Sequence, residues 1–317
     1  MLLVQPASIF LKTMNYSQTI YMLGGKQNQW LEMFGMTPKI DKKGAKMTET
    51  KLYELDVEHL KSVIEIIEEH DEDDAEDAKE DFDRNGLENH WIISVAGKVS
   101  GISGYRQIPE SYGSAYLSWT YISKKLIGTG LGKKLFLHVM EQIGISGGNE
   151  VFIKLSNYKD EEGYEVYGAA RKFYTSMGFK EQITAFDYYD EGEDLIIFSK
   201  QLVAEEAPEQ ILPEMPKIEF VDIFEIPGTD GSYSFDWKVG DKKLFEKRGF
   251  SAEDLIIGLR EVKRLGGRRV FLTFPSNLPL IHEPLVNAGF KFMGELGNYY
   301  EPGLSELHFS HNLDSIE

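Results

Sequence analysis

The sequence predicts an α/β fold with a mixed sheet, followed by a smaller half-domain related to the first. Three observations carry this. Stretches of period-two alternation are interleaved with stretches of helical spacing from Lys51 onward. A glycine-rich turn, Ile127–Gly132, joins a strand pattern to a helix pattern. Residues 217–317 repeat part of what precedes them.

The elements follow in order. Lys51–Asp56 alternates as a strand, and Val57–Glu69 places Val57, Leu60, Val63, Ile64 and Ile67 at helical spacing. Glu68–Asp83 is a dense acidic run. It reads as a solvated helix or loop face, or as the neighbour of a site for a cationic substrate. His90–Ala96, Lys98–Arg106 and Ser114–Ile122 read as strands, the first two joined by a hairpin turn at Ala96-Gly97-Lys98. Lys133–Ile143 is a helix with Leu135, Phe136, Val139 and Met140 on its apolar side, closed by Gly147-Gly148. Val151–Leu155 is a strand, and Gly168–Met177 a helix stopped by Gly178. Thr184–Tyr189 and Leu195–Leu202 are strands, and the Glu- and Pro-rich Ala204–Pro216 reads as a linker. The expected organisation is therefore a first domain at 47–203, a linker at 204–216 and a degenerate copy at 217–317.

Composition narrows the function. The 317 residues, 42% of them hydrophobic, are enough for two modest domains with a real core. With no cysteine, thiolate metal sites and cysteine nucleophiles are excluded, and a reducing, cytoplasmic setting is expected. No metal is called for. A net charge of −18 opposes nonspecific nucleic-acid binding and anionic membrane surfaces. No apolar run reaches the roughly 20 residues of a membrane-spanning helix. Residues 1–46 stand apart at net +4, which leaves −22 for the remainder. Lys42–Met47 can be encoded by a string with a ribosome-binding-like GGAG ahead of ATG. Residues 1–46 are thus either a translated leader before a start at Met47 or a genuine N-terminal extension. The intact mass of the protein made from its native gene decides between them.

The glycine turn points to phosphate. A helix start presents unpaired N–H groups and the positive end of the dipole, and glycines let phosphate oxygens approach them. Lys133 stands where a Walker A loop or a dinucleotide-binding G-x-G-x-x-G would need glycine, so neither motif fits. The order strand, glycine turn, helix, strand, helix, Gly-Phe instead resembles the GCN5-related N-acetyltransferase (GNAT) family. That family's pyrophosphate loop, [QR]-x-x-G-x-[GA], falls on Ile127-Gly128-Thr129-Gly130-Leu131-Gly132, with Ile127 in place of Arg or Gln. "ARKFYTSMGFK" resembles its A-x-x-F-Y-x-x-x-G-F signature through Ala170, Phe173, Tyr174, Gly178 and Phe179. The resemblance spans roughly Thr48–Leu202.

The resemblance implies acetyl transfer from acetyl-CoA to the primary amine of a small acceptor, by direct attack in a ternary complex; the acidic balance and the run Glu68–Asp83 favour a cationic acceptor, with a peptide or protein amine as the alternative. It implies Tyr174 as proton donor to the departing thiolate and a main-chain N–H on the Ser114–Ile122 strand, assigned to Ile122, for the acetyl carbonyl. It implies CoA contacts at Tyr121, Ile122, Ile127, Gly128, Thr129, Gly130, Leu131, Gly132, Lys133, Asn157 and Phe173. Ser114–Ile122 contains no Asp, Glu or His, so no general base is visible there. His90, His138 and Glu110 are the remaining candidates, each with an ordinary structural role as the plainer reading. The insertion after Asn157, "YKDEEGYEVYG", either walls the acceptor site or only decorates a loop. A non-catalytic acyl-CoA sensor remains open.

In the copy, Gly178/Gly289, Phe179/Phe290, Tyr188/Tyr299, Tyr189/Tyr300, Gly192/Gly303 and Leu202/Leu313 align at one offset without a gap. Tyr174 aligns with Leu285, and the phosphate loop with Glu246–Asp254, where Glu253 and Asp254 would compete with phosphate. Residues 217–317 are thus expected to be non-catalytic. They pack on the first domain, shape the acceptor site or mediate homodimer formation.

Overall fold

The structure, a computed structural model, describes residues 49–109, 111, 113–160, 162–202, 218–239, 251–278 and 281–316. The expected leader, the linker 204–216, Glu110 and residues 246–250 lie outside the described residues.

The first unit runs β1 (Thr50–Glu54), α1 (Val57–Glu68), α2 (Glu72–Asn85), β2 (His90–Val95), β3 (Lys98–Gln107), β4 (Ser114–Ile122), α3 (Leu131–Ile145), β5 (Glu150–Ser156), α4 (Gly168–Ser176), β6 (Lys180–Asp190) and β7 (Glu193–Gln201). Helix α1 begins where the Asp56 carboxylate accepts the His59 N–H at 3.1 Å, and it turns Val63, Ile64, Ile66 and Ile67 inward. The acidic run forms α2, and it is not all solvated: Asp74 and Asp81 share the buried face with Ala75, Ala78 and Phe82. The β2–β3 hairpin turns at Ala96 (φ 51°) and Gly97 (φ 77°), the backbone of a two-residue primed turn.

These strands form one seven-stranded sheet in the order β1-β2-β3-β4-β5-β7-β6. Helices α3 and α4 cover one face around Phe136, Val139, Ile153 and Phe179. Helices α1 and α2 cover part of the other, around Ile67, Phe82, Ile92 and Trp119. Strands β4 and β5 are parallel but pair only from Ser114–Tyr116 to Glu150–Phe152. Beyond that point no pairing joins them. The sheet is forked there, and the α3 and α4 N-termini lie at that end of the strands.

The second unit has β8 (Ile218–Glu225), β9 (Ser232–Val239), α5 (Ala252–Arg264), β10 (Arg269–Pro275), α6 (His282–Asn287), β11 (Lys291–Glu301) and β12 (Leu304–Asn312). Its sheet order, β8-β9-β10-β12-β11, repeats β3-β4-β5-β7-β6, with counterparts of β1, α1, α2 and β2 missing among the described residues. The likeness reaches single residues. Strands β11 and β12 begin and end 111 positions after β6 and β7. Asp187 (φ 51°) and Asn298 (φ 53°) are both left-handed, and each accepts the N–H of the next turn's glycine, Gly192 or Gly303, at 2.8 Å.

The two sheets pack around a shared apolar cluster in which equivalent residues recur: Ile108 with Ile226, Phe152 with Phe271, Tyr188 with Tyr299. Polar contacts recur in nearly the same way, displaced by one residue on the accepting strand. Ser114 donates to the Asn298 carbonyl at 2.9 Å, and Ser232 to the Tyr188 carbonyl at 2.7 Å. The copy therefore sits on the first unit as a subunit sits on its twin in a two-fold dimer.

Candidate functional site

The fork is built by a defect in β4. Pairing with β3 runs Gly104↔Ser118 and then Ile102↔Tyr121, so β4 carries one extra residue, and Trp119 takes a left-handed φ of 41°. That bulge is pinned. The Trp119 indole donates to Asp81 Oδ2 at 2.7 Å, and Asp81 also accepts from Arg106 at 3.0 Å and Asn85 at 2.8 Å. Burial alone would raise the Asp81 carboxyl, but the Trp119, Asn85 and Arg106 contacts hold it below the usual carboxylate range. Beyond the bulge Ser123 N–H bonds back to Ser100 at 3.0 Å. Strand alternation then turns the Thr120 and Ile122 N–H groups away from β3, toward the fork.

Side chains divide between the two faces. Thr120 turns to the α3–α4 side, where it shares a 2.8 Å hydrogen bond with Ser103 and meets the Tyr174 hydroxyl. Tyr174 comes from α4, buried among Phe136, Phe173 and Phe179, with ring centroids 5.3–6.0 Å away. Burial raises its phenol, which Thr120 offsets in part. Tyr121 turns to the α1–α2 side, packs at a tilt against His70 with ring centroids 5.3 Å apart, and donates to Asp74. His70 Nε2–H donates to the Ile122 carbonyl at 2.8 Å, and Glu69 accepts the Lys124 N–H at 2.7 Å. The α1–α2 corner is thereby tied to the end of β4.

At the glycine turn, Gly128 (φ 81°) and Gly130 (φ 85°) are left-handed, a conformation costly for other residues. A Cβ at either would meet open space, so the turn is shaped by conformation and not by crowding. Helix α3 starts at Leu131, two residues before the sequence expectation, and has neither a side-chain cap nor an acid in its first turn. Lys134 N–H bonds to the Gly130 carbonyl at 3.1 Å, and among the described residues no side chain caps the helix start. An uncapped helix start beside two open glycines fits an anion such as a pyrophosphate. Helix α5 is the contrast. Ser251 caps it by accepting the Asp254 N–H at 3.2 Å, and Glu253 and Asp254 fill its first turn.

Other sequence candidates fall as follows. Asn157 is engaged at the end of β5: its amide donates to Asp194 at 2.8 Å and accepts the Asp194 N–H at 2.7 Å. The Phe173 ring packs edge-on against Phe136 at 5.4 Å. Ile127 is exposed. His90 is buried and bonded at both nitrogens, and His138 packs edge-on against Trp91 at 5.5 Å, so neither points into the fork. The insertion folds back on itself, with Val166 N–H bonded to the Tyr158 carbonyl at 3.1 Å. It ends in Tyr167, whose phenol hydrogen-bonds to Asp74. Sequence reading did not single out Ser103, Trp119 or Thr120, and it reached Asp74 only within the acidic run and Tyr167 only within the insertion. The one available signal was that Asp74 and Asp81 flank the Ala75, Ala78, Phe82 stripe at helical spacing.

In the copy the fork is filled. Strand β9 has no bulge, since the irregularity in that ladder falls on β8. Trp237 donates to the Thr273 carbonyl of β10 at 3.1 Å and stacks on Phe274 at 5.0 Å. Leu285, aligned with Tyr174, is fully buried in the same core.

Residues 52–179 match the model of the Acetyltransferase (GNAT) family. Solved structures with a similar fold include the ribosomal-protein-S18-alanine N-acetyltransferase from Escherichia coli, 18% identical, covering 50% of this chain and 97% of its own, TM-score 0.40. A ribosomal-protein-alanine N-acetyltransferase from Brucella melitensis is 19% identical, with coverage of 48% and 99% and a TM-score of 0.38. A Salmonella typhimurium protein described as an acetyltransferase, solved with its cofactor acetyl-CoA, is 15% identical, with coverage of 50% and 98% and a TM-score of 0.40. No curated protein matches the chain in sequence. No helix among the described residues is long and apolar enough to cross a membrane. The glycine turn and the Tyr174 helix both lie within residues 52–179, the part of this chain that the GNAT acetyltransferase family model matches.

Proposed function

We propose that the protein is an N-acetyltransferase that moves an acetyl group from acetyl-CoA to the primary amine of a small, cationic acceptor, by direct attack in a ternary complex. One observation carries the reading: the Trp119 bulge brings the N–H edge of β4 and the Tyr174 hydroxyl to the same point of the fork, at Thr120. Acyl transfer needs a donor where negative charge develops on the carbonyl oxygen and a proton for the leaving thiolate. The Thr120 N–H, next to the bulge, is better placed for the first role than that of Ile122, two residues on. Tyr174 serves the second; its phenol is raised by burial and so holds its proton at neutral pH.

The cofactor residues take their places around this centre. Tyr121 and Ile122 offer main-chain groups along the fork. Ile127, Gly128, Thr129, Gly130, Leu131, Gly132 and Lys133 surround the pyrophosphate with N–H groups and one cationic side chain. Asn157 braces the far lip of the fork, and Phe173 holds the Tyr174 ring. The non-catalytic sensor reading draws on Ile127, which supplies no charge, and on the absence of a base from β4.

Titrating acetyl-CoA into the full chain by calorimetry, beside Gly130→Asp, tests the reading. Aspartate at φ 85° adds strain and a negative charge where the helix N–H groups point. Binding by the wild type that is lost in the variant is expected. A wild type that binds no acetyl-CoA overturns the proposal.

A further inference from the structure

From Ser114 to Ile122 β4 has no carboxylate or imidazole, so the proton an attacking amine must lose has no acceptor on that strand. We propose that Asp74 is that acceptor, and that the amine arrives as an alkylammonium drawn to it; the inference rests on the acetyltransferase reading of the same fork.

Asp74 sits in the first turn of α2 and is only 4% exposed. It is held from two directions. Tyr121, the residue after Thr120, donates to it from β4, and Tyr167, the residue that opens α4, reaches it from the insertion. One carboxylate thus links the bulged strand to the helix that carries Tyr174. Its backbone is fixed as well, because the Asp71 carboxylate accepts the Asp73 and Asp74 N–H groups at 2.9 and 3.1 Å. A buried acid joined by phenols to both catalytic elements is placed to act on the substrate.

The surroundings select a cation. Asp71 from the α1–α2 corner and Glu193 from β7 add negative charge around Tyr167, and Tyr189 from β6 feels Asp74, Glu193 and Tyr167. The Tyr121, Tyr167 and Tyr189 phenols are raised, by burial first and then by these acids, and stay neutral through the assay range. The Tyr121 ring, whose hydroxyl meets Asp74, is an aromatic group of the kind that attracts an alkylammonium. An incoming ammonium competes with the phenols for the carboxylate because it adds the attraction of opposite charges to its hydrogen bond, which a neutral phenol does not.

The step balances. The ammonium gives one proton to Asp74 and becomes a free amine. Its lone pair forms the N–C bond at the acetyl carbonyl carbon as the C–S bond breaks. The thiolate takes the Tyr174 proton, and the new amide nitrogen returns a proton to Tyr174. Asp74 releases its proton to solvent.

The test measures acetylation of 1,4-diaminobutane and a series of alkyl mono- and diamines by the full chain, with Asp74→Asn and Tyr167→Phe, from pH 6 to 10. Asp74→Asn is expected to keep its acetyl-CoA affinity and to lose about 10²–10³-fold in kcat/KM. The loss should shrink as pH rises toward the amine's own pKa, near 10, where solution supplies the free base. Tyr167→Phe is expected to raise KM for the amine more than it lowers kcat. An Asp74→Asn variant with wild-type kcat/KM and pH profile overturns the role of Asp74 and leaves the acetyltransferase reading standing. A wild type that binds acetyl-CoA but acetylates no amine defeats that reading, and this inference with it. If Asp74→Asn no longer binds acetyl-CoA, Tyr167→Phe decides, and an unchanged KM there overturns the inference.

Discussion

Tyr174→Phe is expected to lower kcat by about 10²–10⁴-fold, the usual range for losing a positioned acid, with acetyl-CoA affinity unchanged. The substitution is clean in this structure. The Tyr174 ring packs against Phe136, Phe173 and Phe179 in contacts a phenylalanine keeps. Only the hydroxyl is removed, and its neighbour Thr120 retains its 2.8 Å hydrogen bond to Ser103. No buried group is stranded, so stability should change little. Thiol release from acetyl-CoA, followed with a saturating amine, reads the effect directly. The loss should fall on kcat, because the phenol acts on the leaving sulfur and not on binding. An unchanged kcat removes Tyr174 from the chemistry. The copy has already made a harsher change: Leu285 stands at this position, and Trp237 bridges to β10 across the fork.

Much of this architecture was legible in the chain because its determinants are local. Strand alternation, helix stripes and the glycine turn are read within ten residues. The likeness of residues 217–317 to the first unit was legible because Gly289 and Gly303 keep the left-handed conformation of Gly178 and Gly192. What escaped depends on partners distant in sequence. The bulge at Trp119 exists only in the pairing of β3 with β4, and an isolated "LSWTYIS" gives no hint of the extra residue. Asp74 was concealed by its company, since Asp73 and Asp77 beside it make the run look like solvated surface. Tyr167 ends an insertion whose course is set by its own hairpin and not by any periodic pattern. Some strand limits also moved. Strand β6 starts at Lys180, four residues before the expected Thr184, because its first residues are exposed and lack alternation while the ladder to β7 holds them.

The second large effect concerns acid stability, where two buried groups act in opposite directions. His90 is 1% exposed; Nδ1–H donates to the Glu88 carbonyl at 2.9 Å, and Nε2 accepts from Ser118 at 3.1 Å. Both nitrogens are thus occupied in the neutral ring. Burial, then the Arg106 charge, takes its pKa from 6.5 down to about 4. Between those values the unfolded chain binds the extra proton, so this group makes stability rise with pH and withdraws it as pH falls. Glu150, 5% exposed at the start of β5, is pushed from 4.5 up to about 7 by burial, with a Ser199 hydrogen bond opposing. Between 4.5 and 7 the folded chain holds the extra proton, so this group makes stability fall as pH rises. Each span is worth about 3 kcal/mol, and over the shared window from 4.5 to 6.5 the slopes cancel. The wild type should therefore show little change in urea-unfolding free energy there from this pair. His90→Gln is expected to expose the Glu150 slope, losing about 3 kcal/mol from pH 4.5 to 7, and Glu150→Gln the His90 slope, gaining a similar amount from pH 4 to 6.5. Opposite slopes in two single variants cannot come from a general loss of stability, which would shift both curves without tilting them. Parallel curves would show that neither group is held away from its ordinary pKa by the fold.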